Sequence, residues 1–240
     1  MRVLAVGAHP GDLEILCGGT LARFVAEGHS VVMCHVSDGN CGSFEIEPPQ
    51  LARVRSEEAA AAAAVIGARH EHLGVNDGEV SAADRSQQHL VVQLFRDVRP
   101  DVVITHSPDD YMVDHNETSK LIFDCSFLAS LPHYGPKSND GPKSKATAEV
   151  VPLYYMETLG GIGFAPHEYV DISAVFHQKV AMLEAHRSQL QWLSEHDQVD
   201  MVDQIRTVAR YRGYQCGVTY AEGFVPSRVW LRARAYRLLP

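Results

Sequence analysis

The chain has 240 residues, 45% of them hydrophobic and 21% charged, with a formal net charge of −9. Such a length accommodates one large α/β domain or two small ones, and so acidic a balance excludes a general binder of nucleic acid or anionic membranes, which needs a basic face. No stretch approaches the roughly 18 apolar residues of a membrane span, and no basic n-region precedes the first apolar run. The five cysteines are scattered without a CxxC pair, as reduced thiols are, so a cytoplasmic protein is expected.

In chain order, Val3 to Val6 has the length and composition of a buried parallel strand. It runs into His9, Pro10, Gly11, Asp12 and Glu14, after which Gly18-Gly19-Thr20 opens a helix with Leu21, Phe24 and Val25 at helical spacing. Residues 30–36 read as a second strand, ending in the turn-forming Ser37-Asp38-Gly39-Asn40. An alanine-rich helix is expected over 51–66, closed by Gly67, then a third strand over 70–75 and an amphipathic helix over 87–98. Residues 102–105 form another buried run, leading into the polar stretch 106–115 and a helix over 116–127. Pro, Gly, Ser, Lys and Asn dominate 131–148, which reads as a mobile loop or a plain surface excursion. A strand over 150–156, a strand end at 170–173 and helices over 174–193 and 199–211 complete the chain. Strands alternating with helices imply βαβ units and a mostly parallel sheet. No repeat and no domain boundary interrupts residues 1–240, so one domain is expected.

Two of these strand ends carry chemistry. Open α/β sheets bind ligands at the carboxyl edge, and there His9 and Asp12 lie three residues apart in one loop, with Asp114-His115 in the other. His9 could equally be a loop histidine and Asp12 a helix N-cap. Taken together, two imidazoles and a carboxylate with one open position describe a catalytic rather than a structural zinc site. Asp114, directly before His115, is a candidate to orient that ligand or to accept a proton. A dinucleotide site is disfavoured: Gly18-Gly19 is not GxGxxG, and no Walker A sequence occurs.

AHPGDLE near the amino terminus and YMVDH about a hundred residues later resemble the motifs of the LmbE-like, or PIG-L, family of zinc-dependent N-deacetylases, whose first motif is usually AHPDDxE and whose second ends in a DH pair. Arg55 and Glu58 match its R-x-x-E helix, RPDVVITHSPDDY the strand before its third ligand, and His186-Arg187-Ser188-Gln189 with Trp192-Leu193 and 220–224 its carboxyl-terminal signatures. The resemblance implies a Rossmann-like three-layer sandwich with Zn2+ on His9, Asp12 and His115. It also implies hydrolysis of an N-acyl group from an amino sugar or related small molecule, Arg55 facing the substrate, and a homo-oligomer. Two positions depart from the pattern. The family's presumed base is Gly11 here, which cannot take a proton, and a histidine thought to stabilise the oxyanion is Met112, which has no donor for it. A substitute base is expected among Asp38, Asp110, Asp114 and Glu14. Glu14, Tyr111 and His186 join Arg55 as expected substrate contacts, although Glu14 equally suits the helix dipole and His186 a solvated helix face. His106 is expected either to line the pocket or to be structural. Hydration of an oxo-acid and a metal-holding protein with little activity are the alternatives.

Overall fold

A computed structural model describes residues 1–135 and 148–240, so most of the loop expected over 131–148 lies outside the described residues. The elements follow in the order β1 (Arg2–Gly7), α1 (Asp12–Leu16), α2 (Gly18–Ala26), β2 (Ser30–Ser37), α3 (Pro48–Ile66), β3 (Arg69–Val75), α4 (Arg85–Val98), β4 (Val102–Thr105), α5 (Val113–Leu128), β5 (Leu153–Met156), β6 (Glu168–Asp171), α6 (Phe176–Glu184), α7 (Arg187–His196), α8 (Met201–Cys216) and β7 (Ala221–Pro226). They build one seven-stranded sheet in the order β3-β2-β1-β4-β5-β7-β6. The first five strands in that order run parallel, and β7 is antiparallel to both β5 and β6.

Alternation along β1 creates the three layers. Successive strand side chains point to opposite faces. Val3 and Ala5 join one core with Leu13, Phe24, Ala62, Ala63 and Met182 from α1, α2, α3 and α6, while Leu4 and Val6 join another with Val91, Phe95, Leu121 and Ile122 from α4 and α5. All four β1 side chains are fully buried, which is why the strand reads as an unbroken apolar run. Local signals set the helix limits. Asp84 caps α4 by accepting from the N–H groups of Ser86 and Gln87, and Gly67 ends α3 at a left-handed φ of 75°. No helix among the described residues is long and apolar enough to cross a membrane.

Two elements differ from the sequence reading. The helix expected over 174–193 is two, α6 and α7, because His186 leaves helical geometry at ψ 63° and turns inward. Strand β7 was not anticipated, since Glu222 and Gly223 interrupt its apolar pattern. Glu222 is nevertheless buried and fully used: its carboxylate accepts from the N–H groups of Gly19 (2.9 Å) and Thr20 (2.7 Å), from the Thr20 hydroxyl and from the ammonium of Lys179. Lys179, also buried, donates in addition to the carbonyl of Ile15 at 2.7 Å. This pin holds the end of α1 and the start of α2 on β7 and so fixes the segment that follows the β1 loop. Glu222→Gln strands a buried ammonium and should cost about 3–5 kcal/mol in urea unfolding, whereas pairing Glu222→Leu with Lys179→Met should cost clearly less than the sum of the single changes.

Candidate active site

The chain leaves β1 toward β2 and β3 on one side and returns to β4 on the other, so the order of strands reverses at β1. Loops that leave the carboxyl ends of strands at such a switch point part from one another and leave a crevice. Register then sets their level. Val6 pairs with Thr105, so the β1 and β4 loops begin side by side. The N–H of Ser37 donates to the carbonyl of Ala8 (2.8 Å), and that of Asp38 to the carbonyl of Val75 (2.9 Å), which adds the ends of β2 and β3 to the same edge.

Asp12 Oδ2 is the centre of the cluster. It accepts from the N–H of His9 at 2.8 Å and lies 3.4 Å from His9 Nδ1, 3.2 Å from His106 Nε2 and 3.3 Å from His115 Nε2. The far nitrogen of each flanking histidine meets a carboxylate. His115 Nδ1 donates to Asp110 Oδ2 at 3.0 Å, and His9 Nε2 lies 3.2 Å from Asp114 Oδ2 and 3.1 Å from Asp77 Oδ1. The carboxylates at His115 Nδ1 and His9 Nε2 leave His9 Nδ1 and His115 Nε2 as the nitrogens that face Asp12, the outer-carboxylate arrangement of metal-bound histidines. His115 Nε2 is buried without a hydrogen-bond partner. Two imidazoles and a carboxylate suit a divalent transition-metal ion, and their ligand atoms lie within 4.8 Å of one another. His106 differs. Its Nε2 accepts the N–H of Ala8 at 2.9 Å, so that lone pair is used, and its ring stacks on His115 at 3.9 Å.

Charge follows this geometry. Burial works against ionisation of His9, but hydrogen bonds with Asp114, Asp12 and Asp77 hold its imidazole well above the ordinary value. Burial also opposes the charge on His115, yet the Asp12 charge and the Asp110 bond raise it to about 9. Burial works against the Asp12 charge as well, yet the charge on His115 and the close contacts with His106, His115 and His9 hold it well below the carboxylate range. Burial and the neighbouring His115 charge push His106 down to about 4, which keeps it neutral. Without metal the cluster thus holds protons where an ion would place positive charge.

These contacts place each of the residues expected at the site. Asp114 does not orient His115; Asp110 does, from one turn earlier, while Asp114 Oδ2 serves His9 and accepts the N–H of Gly78 at 2.8 Å. That engagement removes Asp110 as a free base. Asp38 Oδ1 accepts the N–H of Asn40 within its own turn and joins none of the groups of converging ligand atoms among the described residues. Glu14 and His186, expected at the substrate, are wholly buried against each other at 3.2 Å. Arg55 is 2% exposed, donates to the carbonyl of Gly42 at 3.0 Å and packs beneath Gly39 and Gly42, so it shapes a wall of the crevice. Tyr111 stands on the rim, 78% exposed. His106 proves structural, tying β1 to β4. Asp77 escaped the sequence reading, although Asn76-Asp77-Gly78 follows β3 at the same edge and strand-end position alone marked it. Gly11 sits at φ 105°, a backbone that side chains rarely adopt, yet a Cβ there would meet nothing nearer than Gln189 Cγ at 3.7 Å. Its space is open; its conformation is what glycine allows.

Residues 4–126 match the family described as PIG-L: GlcNAc-PI de-N-acetylase. The chain is 29% identical to diacetylchitobiose deacetylase of Thermococcus kodakarensis over 94% of its own length and 83% of that protein's. To 4-oxalmesaconate hydratase of Pseudomonas putida it is 26% identical, over 92% and 85% of the two chains. Among solved structures, the conserved protein TT1542 from Thermus thermophilus superposes with a TM-score of 0.76 at 31% identity, covering 98% of this chain and 99% of that one. Motif order, strand-edge site and these likenesses agree: the chain belongs to the PIG-L family.

Proposed function

We propose that the protein is a zinc-dependent N-deacetylase that removes the acetyl group of an N-acetylated amino sugar. The observation that carries this reading is the convergence of His9 Nδ1, Asp12 and His115 Nε2, each histidine backed by a carboxylate, in a chain whose relatives include a sugar deacetylase. Zinc is the natural occupant of a His/Asp/His set; bound there, it supplies Lewis acidity that polarises an acyl oxygen and makes water more acidic.

The chain's own residues do the rest. Asp110 and Asp114 fix the tautomers of His115 and His9. His9 Nε2 has one hydrogen for two carboxylates, so either Asp77 or Asp114 is left free beside it. The Asp114 side chain is 4% exposed and Asp77 21%, so we assign proton acceptance to Asp77, the one open to solvent, in the role that Gly11 vacates. Arg55 holds the 39–42 loop that walls the crevice. The same reading takes the small-molecule partner, the homo-oligomer, the cytoplasmic location and a single domain over 1–240 as its parts, the last supported by one sheet whose strands span residues 2–226. Gly11, together with the hydratase relative, favours a second reading, hydration of an oxo-acid.

Metal analysis followed by acetate release from N-acetylated sugars tests the proposal. The parent should hold about one zinc per chain, and His9→Ala or His115→Ala should reduce this by roughly 10-fold or more. Turnover of oxo-acids without acetate release would replace the deacetylase reading by the hydratase one. Asp77→Asn should lower kcat by about 10²–10⁴-fold with metal content unchanged. Gly11→Asp introduced into that variant should recover at least about 10-fold of the loss, at roughly 1–3 kcal/mol in stability for the strained backbone. If kcat is insensitive to Asp77→Asn, the proton acceptor lies elsewhere. Because His115 holds its proton up to about pH 9 and the metal must displace it, zinc affinity measured by chelator competition should climb from pH 6 toward pH 9 by about 10-fold or more per unit.

A further inference from the structure

At the sheet edge opposite the metal cluster, the start of β5, the end of β7 and the segment that follows it border a groove of about 390 Å³. That volume falls within the roughly 300–1,000 Å³ of small-molecule sites. Its walls are basic although the chain carries a net charge of −9. Arg228, Arg232, Arg234 and Arg237 all line it, and no Asp or Glu occurs from residue 223 to 240. Glu168 is the carboxylate of the groove, and it faces Arg237 at 3.9 Å.

Arg232 stands apart from the others. It is 4% exposed, and a charge so buried ordinarily has a partner of opposite sign. Its guanidinium meets neutral groups instead. Nη1 donates to the carbonyl of Val151 at 3.3 Å, and Nη2 to the carbonyl of Phe123 at 2.9 Å and to the Ser126 hydroxyl at 2.7 Å. The Phe123 ring centre lies 4.5 Å from Cζ. Among the described residues no carboxylate pairs with Arg232, and its Nε donates to none of them. Asp124, whose charge reaches it, is itself bonded to Lys120 at 2.7 Å. The carboxyl end of α5 supplies only about half a negative charge, so much of the guanidinium charge stays uncompensated.

Backbone strain sits next to it. Leu231 holds φ at 70°, a left-handed conformation that is costly for leucine, and strain of this kind gathers at functional positions. In the same groove Arg228 forms no hydrogen bond or ion pair among the described residues, and Arg234 bonds only to the carbonyls of Leu231 (2.9 Å) and Ala233 (3.2 Å). Three guanidinium groups without a counter-charge thus border one volume. Their planar forks suit a phosphate group, which accepts paired N–H donors and carries up to two negative charges. We propose that this groove is a phosphate-binding site, separate from the metal cluster, that takes inorganic phosphate or the phosphate group of a small metabolite.

Isothermal titration of the full chain at fixed ionic strength, with inorganic phosphate as the first probe, tests it. Phosphate should bind saturably at about one per chain. Stripping zinc with 1,10-phenanthroline should leave that binding unchanged, since phosphate held by the metal would be lost with it. Arg228→Gln and Arg234→Gln should each weaken binding about 10-fold, and the two together about 100-fold. Arg232→Met should abolish it; that side chain also ties down α5, so the two exposed variants decide the matter if Arg232→Met does not fold. On the stripped protein, tighter binding of glucosamine 6-phosphate or adenosine monophosphate than of phosphate would assign the groove to a metabolite, and equal binding to the free ion. Either result supports the proposal. No saturable binding, binding indifferent to both glutamine variants, or binding that disappears with the metal would overturn it. So would binding of an oligonucleotide in preference to phosphate, which would make the groove part of a polyanion surface.

Discussion

One carboxylate oxygen organises the centre of this molecule. Asp12 Oδ2 lies within 3.4 Å of a nitrogen from each of His9, His106 and His115 and accepts a backbone N–H besides. A buried anion so placed is tolerable only if positive charge surrounds it. Here His9 and His115 hold protons, which a divalent ion can displace. The arrangement depends on register: Val6 must sit opposite Thr105 for the two loops to start at one level. A slip of one residue would turn every side chain of the strand to the other face and dismantle the site.

Around that centre the chain distributes carboxylates by task. Asp110 and Asp114 each fix the ring of a different histidine, and the residue adjacent in sequence is not the one that orients its neighbour. Asp77 arrives from β3, so four strand ends contribute to one crevice. Farther from the cluster, the Lys179–Glu222 pair anchors α1 and α2 from beneath. Buried ion pairs contribute little net stability, yet they impose large penalties on any arrangement that separates them. Their value here is positional.

Much of this was legible in the residues. The run Val3–Val6, the polar loop behind it and the later DH pair sufficed to place His9, Asp12 and His115 at one sheet edge, because strand, loop and helix signals are local and the edge rule does the rest. Roles that depend on a partner far away in the chain were not legible. Glu14 and His186 look like pocket residues in sequence, yet they face each other, both buried, across about 170 positions. Arg55 carries the chemistry of a substrate contact but lies beneath two glycines whose lack of side chains admits it. Strand β7 hid behind Glu222, a charge that the buried Lys179 and the N–H groups of Gly19 and Thr20 make acceptable in a strand.

The sequence by itself determined the alternation of strands and helices, the mostly parallel sheet and the placement of His9, Asp12 and His115 at one sheet edge, since each follows from periodicity, turn chemistry and the behaviour of strand ends; their reading as one ligand set came from the family resemblance. Tertiary structure decided which carboxylate serves which histidine, that Gly11 takes a left-handed φ with open space beside it, and that Phe44 of the 42–46 loop meets Trp192 of α7. The physical reason is reach. Local structure is set within a few residues, whereas hydrogen bonds, ion pairs and ring contacts between loops are set by how separate strands stack side by side, and no spacing along the chain encodes a distance across the sheet.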